Sequence, residues 1–165
     1  MIRILFVCHG NICRSPMAEF YMKDLVTRHQ DADRFLIDSA ATTTDEIPGG
    51  RGNPVYPPAL KMLADHGIGT ADNELGVHAK RARLLKAQDY DDFDLIIGMD
   101  EENIVMMNKK WKDTDDKIHL LLSYAGVDRN VADPWFTRNF QAAWDDIVLG
   151  CDALYRTLKQ QEEKK

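Results

Sequence analysis

The sequence predicts a single α/β domain in which a four-stranded parallel sheet carries helices on both faces. Short apolar runs alternate with helical patterns along the chain, an order typical of parallel strands joined by crossover helices. A length of 165 residues, with 44% apolar and 29% charged residues, suits one globular domain. No internal repeat or low-complexity linker divides the chain, so residues 1–165 are expected to form one unit.

Strands are expected where β-branched and aromatic residues gather. The first spans residues 2–8, and only Arg3 interrupts its apolar character, which indicates burial on both faces. The other three predicted strands cover residues 35–40, 94–99 and 117–122.

Helices are expected between these strands. Ser15 and Pro16 are an N-cap and first-turn pair for a helix that continues to about residue 29. Pro57 and Pro58 open a second helix, which Gly67 ends. Further helices are predicted over residues 80–88, over residues 101–110, and from residue 139 nearly to the end, with loops over 41–58 and 123–138. The tail, residues 160–165, is expected to fray.

Charge and cysteine content limit the classes of partner. Lys and Arg number 21 and Asp and Glu number 27, so the formal charge is −6 and general binding to nucleic acid or to an anionic membrane is not expected. The early apolar run, residues 4–8, is too short for a signal peptide or a membrane span of about 18 residues. Three cysteines, an odd number, favour free thiols in a reduced cytoplasmic setting.

The segment between the first strand and the first helix is typical of a phosphate-binding loop. It reads Cys8-His9-Gly10-Asn11-Ile12-Cys13-Arg14-Ser15. Gly10 and Asn11 tolerate left-handed backbone, so successive N–H groups can turn toward one anion, and the helix dipole adds positive potential. Ligand sites in such sheets lie at the carboxyl ends of the strands, where this loop is placed.

Cys8 and Arg14 add reactivity to this anion site. The helix end and Arg14 favour the thiolate form of Cys8, and the planar guanidinium of Arg14 can hold two phosphate oxygens at once. Together they describe a nucleophile facing a clamped tetrahedral oxyanion. The alternative is a buried thiol at a strand end and an unrelated surface arginine.

This octet, continued as Ser15-Pro16-Met17-Ala18-Glu19, resembles the P-loop of the low-molecular-weight protein tyrosine phosphatases. The family has the same Cys-to-Arg spacing followed by serine. The likeness extends to residues 38–42, 66–68, His78 with Arg81, 99–101 and 132–134. It implies hydrolysis of aryl phosphate monoesters on a tyrosine-phosphorylated protein or peptide, with no cofactor and no metal.

The resemblance implies a role for each matched residue. Cys8 is the expected nucleophile and Arg14 the phosphate clamp, while Asp133 protonates the leaving oxygen and then activates water. The residues expected to contact phosphate or substrate are His9, Gly10, Asn11, Ile12, Cys13, Ser15, Trp135 and Phe136.

Supporting roles are also implied for residues outside the loop. The Asn11 side chain would hold the loop backbone through Ser39 and His78, and Asp100 would support the histidine. The Ser15 hydroxyl is expected to cap the helix and to donate to the Cys8 sulfur. For each of these, a structural hydrogen bond without catalytic effect is the open alternative.

Two features bear on substrate preference. Trp135 and Phe136 stand where family members commonly have two tyrosines, and aromatic walls make a slot deep enough to favour phosphotyrosine. Counting from Ser39 places Asp45 at the usual aromatic position of the opposite wall, and residues 48–51 resemble a local insertion. That insertion either shapes the site or is a surface loop without ligand contact.

The remaining cysteines have separate expectations. The resemblance implies a reversible disulfide between Cys8 and Cys13 that protects the nucleophile, against the alternative of an inert packed thiol. Cys151 lies on the apolar stripe of the last helix and is expected in the core. Zinc binding is not expected, because no second ligand pair has suitable spacing.

Four rival functions stay open to different degrees. Thioredoxin-coupled arsenate reductases need two further cysteines, and none lies between Cys13 and Cys151. Protein-arginine phosphatases carry threonine at the position of Ile12. An inactive phosphate-binding module has no use for Cys8 together with Asp133. Hydrolysis of small phosphomonoesters, the physiological substrate and weak homodimerisation are not decided by the sequence.

Overall fold

Four parallel strands form the sheet in the computed structural model, which describes residues 1–164. They are β1 (Ile2–Cys8), β2 (Phe35–Ala41), β3 (Leu95–Gly98) and β4 (Ile118–Leu120), in the order β2-β1-β3-β4. The predicted sheet is confirmed. The chain leaves β1 for one neighbour and returns to its other side, so the carboxyl end of β1 is a topological switch point.

Helices cover both faces of this sheet. They are α1 (Arg14–Arg28), α2 (Pro57–Asp65), α3 (Asp89–Asp92), α4 (Glu101–Lys110), α5 (Pro134–Thr137) and α6 (Phe140–Glu163). The side chains of β1 alternate between two cores because successive strand residues point to opposite faces. Ile4 and Phe6 join the core with α1, α2 and α6, and Leu5 and Val7 join the core with α4.

The long helix α6 packs closely on the segment that follows β4. That segment is a 3₁₀ turn, Leu121–Ala125, and the apolar stripe of α6 lies against it and against α1. Gly150 permits this approach, because a Cβ added there would lie 2.5 Å from Leu121 Cγ. Cys151, one residue further, is completely buried as expected.

The helix predicted over residues 80–88 is wrong. Residues 80–86 form no helix and pair with the end of β2 and with the loop after it: Ala41 N donates to Arg83 O, Leu85 N donates to Ala41 O, and Ala82 N donates to Asn53 O. Helix begins only at Asp89–Asp92. These hydrogen bonds to distant segments of the chain satisfy backbone N–H and C=O groups of residues 80–86. The helical propensity of this charged segment therefore does not decide its structure.

Other boundaries differ in smaller ways. The fourth strand ends at Leu120, and the predicted loop over 123–138 contains the short helix α5. The final helix continues to Glu163 through most of the tail expected to fray, because Glu162 accepts from Arg34 and lies 3.3 Å from Lys159 Nζ. Residue 165 lies outside the described residues. Over residues 1–164, no helix is both long and apolar enough to cross a membrane.

Candidate active site

The loop after β1 brings Cys8 and the start of α1 together. Cys8 is 4% exposed, and its Sγ accepts a hydrogen bond from Asn11 N at 3.3 Å. Asn11 has a left-handed φ of 61°, which the turn requires and which asparagine tolerates. Asn11 N therefore points at the Cys8 sulfur from the turn, which is how anion-binding loops present their backbone donors.

Ser15 does not cap α1 as expected. The helix begins at Arg14, its N-cap residue is Cys13, and no side chain caps it. The Ser15 hydroxyl instead lies 3.0 Å from Cys8 Sγ. The first-turn N–H groups of α1 are thereby left for the anion site rather than for a capping side chain.

Arg14 is buried and held by groups from two loops. Its Nη1 donates to Asp100 Oδ2 at 2.9 Å and to Val131 O at 3.3 Å, and its Nη2 donates to Asp133 Oδ2 at 3.4 Å. Burial lowers the pKa of the guanidinium, but the charges of Cys8, Asp133 and Asp100 outweigh it, and the net pKa is raised. Arg14 is therefore a permanent cation in the site.

Asp133 lies at the start of α5, opposite the loop. Its Oδ1 accepts from Trp135 N at 3.1 Å, and its side chain is 29% exposed. Pro134 follows it as the first residue of the helix and is buried. The carboxyl group is thus fixed by the helix start and open to solvent on one side.

A cavity of about 410 Å³ joins these elements. Of the predicted catalytic and contact residues, all but Ser15 line it: Cys8, His9, Gly10, Asn11, Ile12, Cys13, Arg14, Asp133, Trp135 and Phe136. Two wider grooves of about 670 and 680 Å³ lie beside α1 and α6 and contain none of these residues. Within residues 1–164, no three His, Cys, Asp or Glu side chains gather into a metal-binding group.

Aromatic rings form one wall of the cavity. Trp135 is 48% and Phe136 82% exposed at its mouth. Behind them, the ring of Tyr56 lies 5.6 Å from that of Trp135. Sequence reasoning missed Tyr56, because residues 41–58 carry no periodic pattern; its position just before Pro57 was the only signal.

Carboxylates form the opposite wall. Asp45, predicted at this wall, lines the cavity and its Oδ2 lies 2.6 Å from His9 Nε2. Glu46 also lines the cavity, and its Cγ lies 3.0 Å from where a Cβ on Gly10 would stand. The turn Pro48–Gly50, in the predicted insertion, does not line it.

The support expected from His78 is absent. His78 Nδ1 lies 2.9 Å from Glu74 Oε1, and its side chain is 60% exposed. Asp100 does not support it either: besides holding Arg14, Asp100 accepts from Asn103 N at 2.8 Å and caps α4. The non-helical backbone of residues 80–86 brings other residues to the loop instead.

Asn11 is the centre of the network that forms. Its Nδ2 donates to Ser15 Oγ at 2.8 Å and to Ser39 Oγ at 2.9 Å, and its Oδ1 accepts from Arg83 N at 3.1 Å. Ser39 Oγ in turn donates to Glu19 Oε1 at 2.6 Å. Of these contacts, only the one with Ser39 was among the sequence expectations.

Lys80 joins this network at Ser39 and Glu19. Its Nζ donates to Ser39 O at 2.8 Å and to Asp38 Oδ1 at 3.0 Å, and lies 3.4 Å from Glu19 Oε1. Glu19 is 2% exposed. The sequence held one signal for the pair of Glu19 and Lys80. Glu19 is a charged residue on the buried face of the first predicted helix, and a buried charge needs a partner.

Cys13 is a protonated thiol beside the proposed nucleophile. Burial raises its pKa to about 12, and the charges of Cys8 and Asp133 add to the shift. All three cysteines, Cys8, Cys13 and Cys151, are free. Burial likewise raises the pKa of Cys151.

The fold and loop place the protein in the class of α/β enzymes with a phosphate-binding loop after the first strand. The chain belongs to the low molecular weight phosphotyrosine protein phosphatase family, whose model matches residues 3–164. The family resemblance seen in the sequence is confirmed, and the protein is an enzyme of the protein tyrosine phosphatase class, a class of hydrolases.

Individual relatives match over nearly their whole length. The chain is 36% identical to the low molecular weight protein-tyrosine-phosphatase YfkJ of Bacillus subtilis, covering 99% of each chain. It is 35% identical to the Sus scrofa low molecular weight phosphotyrosine protein phosphatase, covering 94% of this chain and 95% of the relative.

The fold is also similar to that of solved structures over nearly the whole chain. The crystal structure of YfkJ has a TM-score of 0.85, with 100% of this chain and 98% of that chain covered. The crystal structure of DARP, a Drosophila arginine phosphatase, has a TM-score of 0.81 at 30% identity, with 96% of this chain and 98% of that chain covered.

Proposed function

We propose that the protein hydrolyses phosphotyrosine in a protein or peptide through a phosphocysteine intermediate on Cys8. The observation that carries this proposal is that Cys8, Arg14 and Asp133, from three separate elements, line one cavity of about 410 Å³. Family membership supports the reaction class.

Phosphate binds first, between the loop N–H groups and Arg14. The guanidinium already points two nitrogens at carboxylate oxygens of Asp100 and Asp133, the second contact being long at 3.4 Å. A phosphate dianion is a stronger partner for this fork than a single carboxylate at that distance. Its arrival draws Nη2 from Asp133 and leaves that carboxyl oxygen facing the substrate.

The Cys8 thiolate then attacks phosphorus. The new S–P bond forms as the bond from phosphorus to the tyrosine oxygen breaks, and Asp133 gives its proton to that oxygen. Protonation avoids the cost of expelling a free phenolate. The loop donors and Arg14 stabilise the charge that develops on the equatorial oxygens.

Water completes the cycle. Asp133, now a carboxylate, takes a proton from water as the water oxygen bonds to phosphorus, and the S–P bond breaks. Inorganic phosphate leaves and the Cys8 thiolate is regenerated. The exposed side of Asp133, 29% of its side chain, gives water this access.

The aromatic wall supports an aryl substrate. Trp135 and Phe136 flank the mouth, and Tyr56 supports the Trp135 ring. A phenyl ring between such walls places its phosphate at the depth of Cys8, whereas a serine phosphate has no ring to stack and a shorter reach.

Arginine phosphate is the second candidate substrate. One structural neighbour at 30% identity is named an arginine phosphatase. The carboxylates of Asp45 and Glu46 at the cavity would attract a cationic guanidinium group. Ile12 in place of the threonine expected for that activity favours the tyrosine phosphate.

The arsenate reductase alternative lacks its relay. Beyond the loop, the only further cysteine is Cys151, which is completely buried against α1 and lies 4.0 Å from Ala18 O. An inactive binding module would not need Asp133 beside the loop.

The three free cysteines fit the reducing cytoplasm in which a thiolate enzyme works. Weak homodimerisation and the absence of nucleic-acid and membrane binding stay predictions.

The test measures the hydrolysis of a series of aryl phosphates by wild type, Cys8→Ser and Asp133→Asn. Cys8→Ser is expected to lose nearly all hydrolysis. Asp133→Asn is expected to lose activity most on esters with poor leaving groups, because a good leaving group needs no proton. Full activity of Cys8→Ser would overturn the mechanism. Phosphotyrosine, phosphoserine and phosphoarginine peptides of one sequence then decide the substrate class.

A further inference from the structure

We propose that Glu19 is a positioning residue whose buried charge directs the Ser15 hydroxyl proton toward Cys8. The inference rests on the proposed role of Cys8 as nucleophile. A chain of side-chain hydrogen bonds joins the two ends, from Glu19 through Ser39 and Asn11 to Ser15. Each link has one possible direction.

The direction at Asn11 is set by the backbone of Arg83. Arg83 N–H can only donate, so the Asn11 atom that meets it at 3.1 Å is the carbonyl Oδ1. The amide nitrogen therefore faces the other way, and its two hydrogens point to Ser15 Oγ at 2.8 Å and Ser39 Oγ at 2.9 Å. Both serine oxygens are acceptors in these bonds.

The direction at Ser39 is set by Glu19. An ionised carboxylate can only accept, so the single Ser39 hydroxyl hydrogen points to Glu19 Oε1 at 2.6 Å. Glu19 is 2% exposed and is paired with two ammonium groups: Lys23 Nζ donates to Oε2 at 2.6 Å, and Lys80 Nζ lies 3.4 Å from Oε1. Ser39 then offers only lone pairs to Asn11.

Ser15 is the end of the chain. Its oxygen accepts from Asn11, and its own hydrogen has one neighbouring acceptor among the described contacts, the Cys8 sulfur 3.0 Å away. A hydroxyl that donates to sulfur stabilises the thiolate over the thiol, and the same bond stabilises the sulfur as it leaves phosphorus. Glu19 thus acts on Cys8 without touching it.

The substitution Glu19→Gln removes the charge that fixes the direction of the Ser39 hydrogen bond, while the side chain keeps nearly the same size and shape. An amide has one NH₂ group, and both carboxylate oxygens of Glu19 face ammonium groups, Oε1 facing Lys80 and Oε2 facing Lys23. Either amide orientation therefore sets a donor against a cation, and the contact with Ser39 is weakened or reversed. A Ser39 hydroxyl that no longer donates to residue 19 can turn its hydrogen toward the Asn11 NH₂ group, which opposes the orientation that Arg83 N holds. We expect the Asn11 donation to Ser15 to weaken as a result.

The experiment measures alkylation of Cys8 by iodoacetamide against pH, in protein without substrate. Glu19→Gln is expected to raise the midpoint of the profile by roughly one pH unit, which is about tenfold less thiolate at a pH below the midpoint. Ser39→Ala, which keeps the charges of Glu19 and Lys80, is expected to act in the same direction. If Glu19→Gln does not fold, the Ser39→Ala variant still tests the proposal.

A control and a double variant separate positioning from stability. Asp31→Asn removes another buried carboxylate, which accepts from Tyr155 and Lys159 far from the loop, and is expected to leave the midpoint unchanged. In a Ser15→Ala background, Glu19→Gln is expected to add no further shift. An unchanged midpoint in folded Glu19→Gln and Ser39→Ala, or an equal shift without Ser15, overturns the proposal. The proposed function fails separately, through Cys8→Ser activity.

Discussion

Asp146 of helix α6 holds the residue directly before Asp133: its Oδ2 accepts a hydrogen bond from Ala132 N at 3.1 Å. The same carboxylate accepts two hydrogen bonds from the Arg129 guanidinium, at 2.8 and 2.7 Å. One buried side chain on the long helix α6 therefore fixes the loop that carries the proposed general acid. Rigid support of this kind is what a positioned proton donor requires.

The Asp146 interaction predicts a pH-dependent contribution to stability. Burial raises the pKa of Asp146, but Arg129 and the Ala132 N–H outweigh it, so the folded pKa lies below the ordinary value of 3.8. A carboxyl with a lowered folded pKa stabilises the fold above its unfolded pKa, and this is lost as the pH falls through the folded pKa. We expect Asp146→Asn to lower the free energy of unfolding by about 1 kcal/mol at pH 7.

Urea unfolding of wild type and Asp146→Asn at a series of pH values measures this. The difference between the two proteins is expected to be constant from pH 7 to about pH 5 and to shrink below pH 4. A difference of the same size at pH 3 would show that the ionised carboxylate is not its source.

Arg14→Lys tests the fork geometry of the phosphate clamp. Lysine keeps the positive charge but has no second, parallel donor, so the contacts of Nη1 and Nη2 cannot both be replaced. We expect kcat/KM for aryl phosphates to fall by about 100-fold or more. Arg28→Lys, an exposed arginine paired with Asp24, is the matched control and should keep full activity. Near-normal kcat/KM in Arg14→Lys would mean that charge alone suffices.

The sequence predicted the parts of this site that depend on local pattern. A buried strand followed by a Cys-to-Arg loop and a helix start places Cys8 and Arg14 without knowledge of distant contacts. The contact of Asn11 with Ser39 was predicted, but the contact with His78 was wrong. The rest of the support depends on residues 80–88, whose charged composition favours a helix. Backbone pairing with Ala41 and Asn53 keeps that segment from forming a helix and brings Lys80 and Arg83 to the loop. Long-range pairing of this kind leaves little signal in local sequence.

Phe136→Ala tests the aromatic wall without disturbing the core. Phe136 is 82% exposed, so its removal is expected to leave the free energy of unfolding within about 0.5 kcal/mol of wild type. KM for phenyl phosphates is expected to rise several-fold, since ring stacking contributes roughly 0.5–1.5 kcal/mol. Kinetics on glycerol phosphate provide the control, because that substrate has no ring. Equal losses on both substrates would assign Phe136 a role other than stacking.

Cys13→Ser tests reversible oxidation of the site. Peroxide converts the Cys8 thiolate to a sulfenic acid, and attack by the Cys13 sulfur then forms a disulfide and releases water. The high pKa of Cys13, about 12, makes this second step slow at neutral pH. After the same exposure to peroxide, wild type is expected to recover activity with dithiothreitol, and Cys13→Ser is expected to recover far less. Equal recovery would identify Cys13 as an inert packed thiol.

Asp45→Asn tests whether the carboxylate wall selects the sequence around the phosphotyrosine. Asp45, Glu46 and Glu102 line the cavity, and the side chain of Asp45 is 65% exposed beside His9. Exposed charges at this range act through solvent, so the effect is modest and is screened by salt. We expect lysine-flanked phosphotyrosine peptides to be hydrolysed several-fold better than glutamate-flanked ones at low ionic strength. The ratio of kcat/KM should fall in Asp45→Asn and in high salt, and Asp72→Asn, at a distant exposed turn, should leave it unchanged. A ratio that responds equally to both variants would make the overall charge of −6, rather than the wall, the source of the preference.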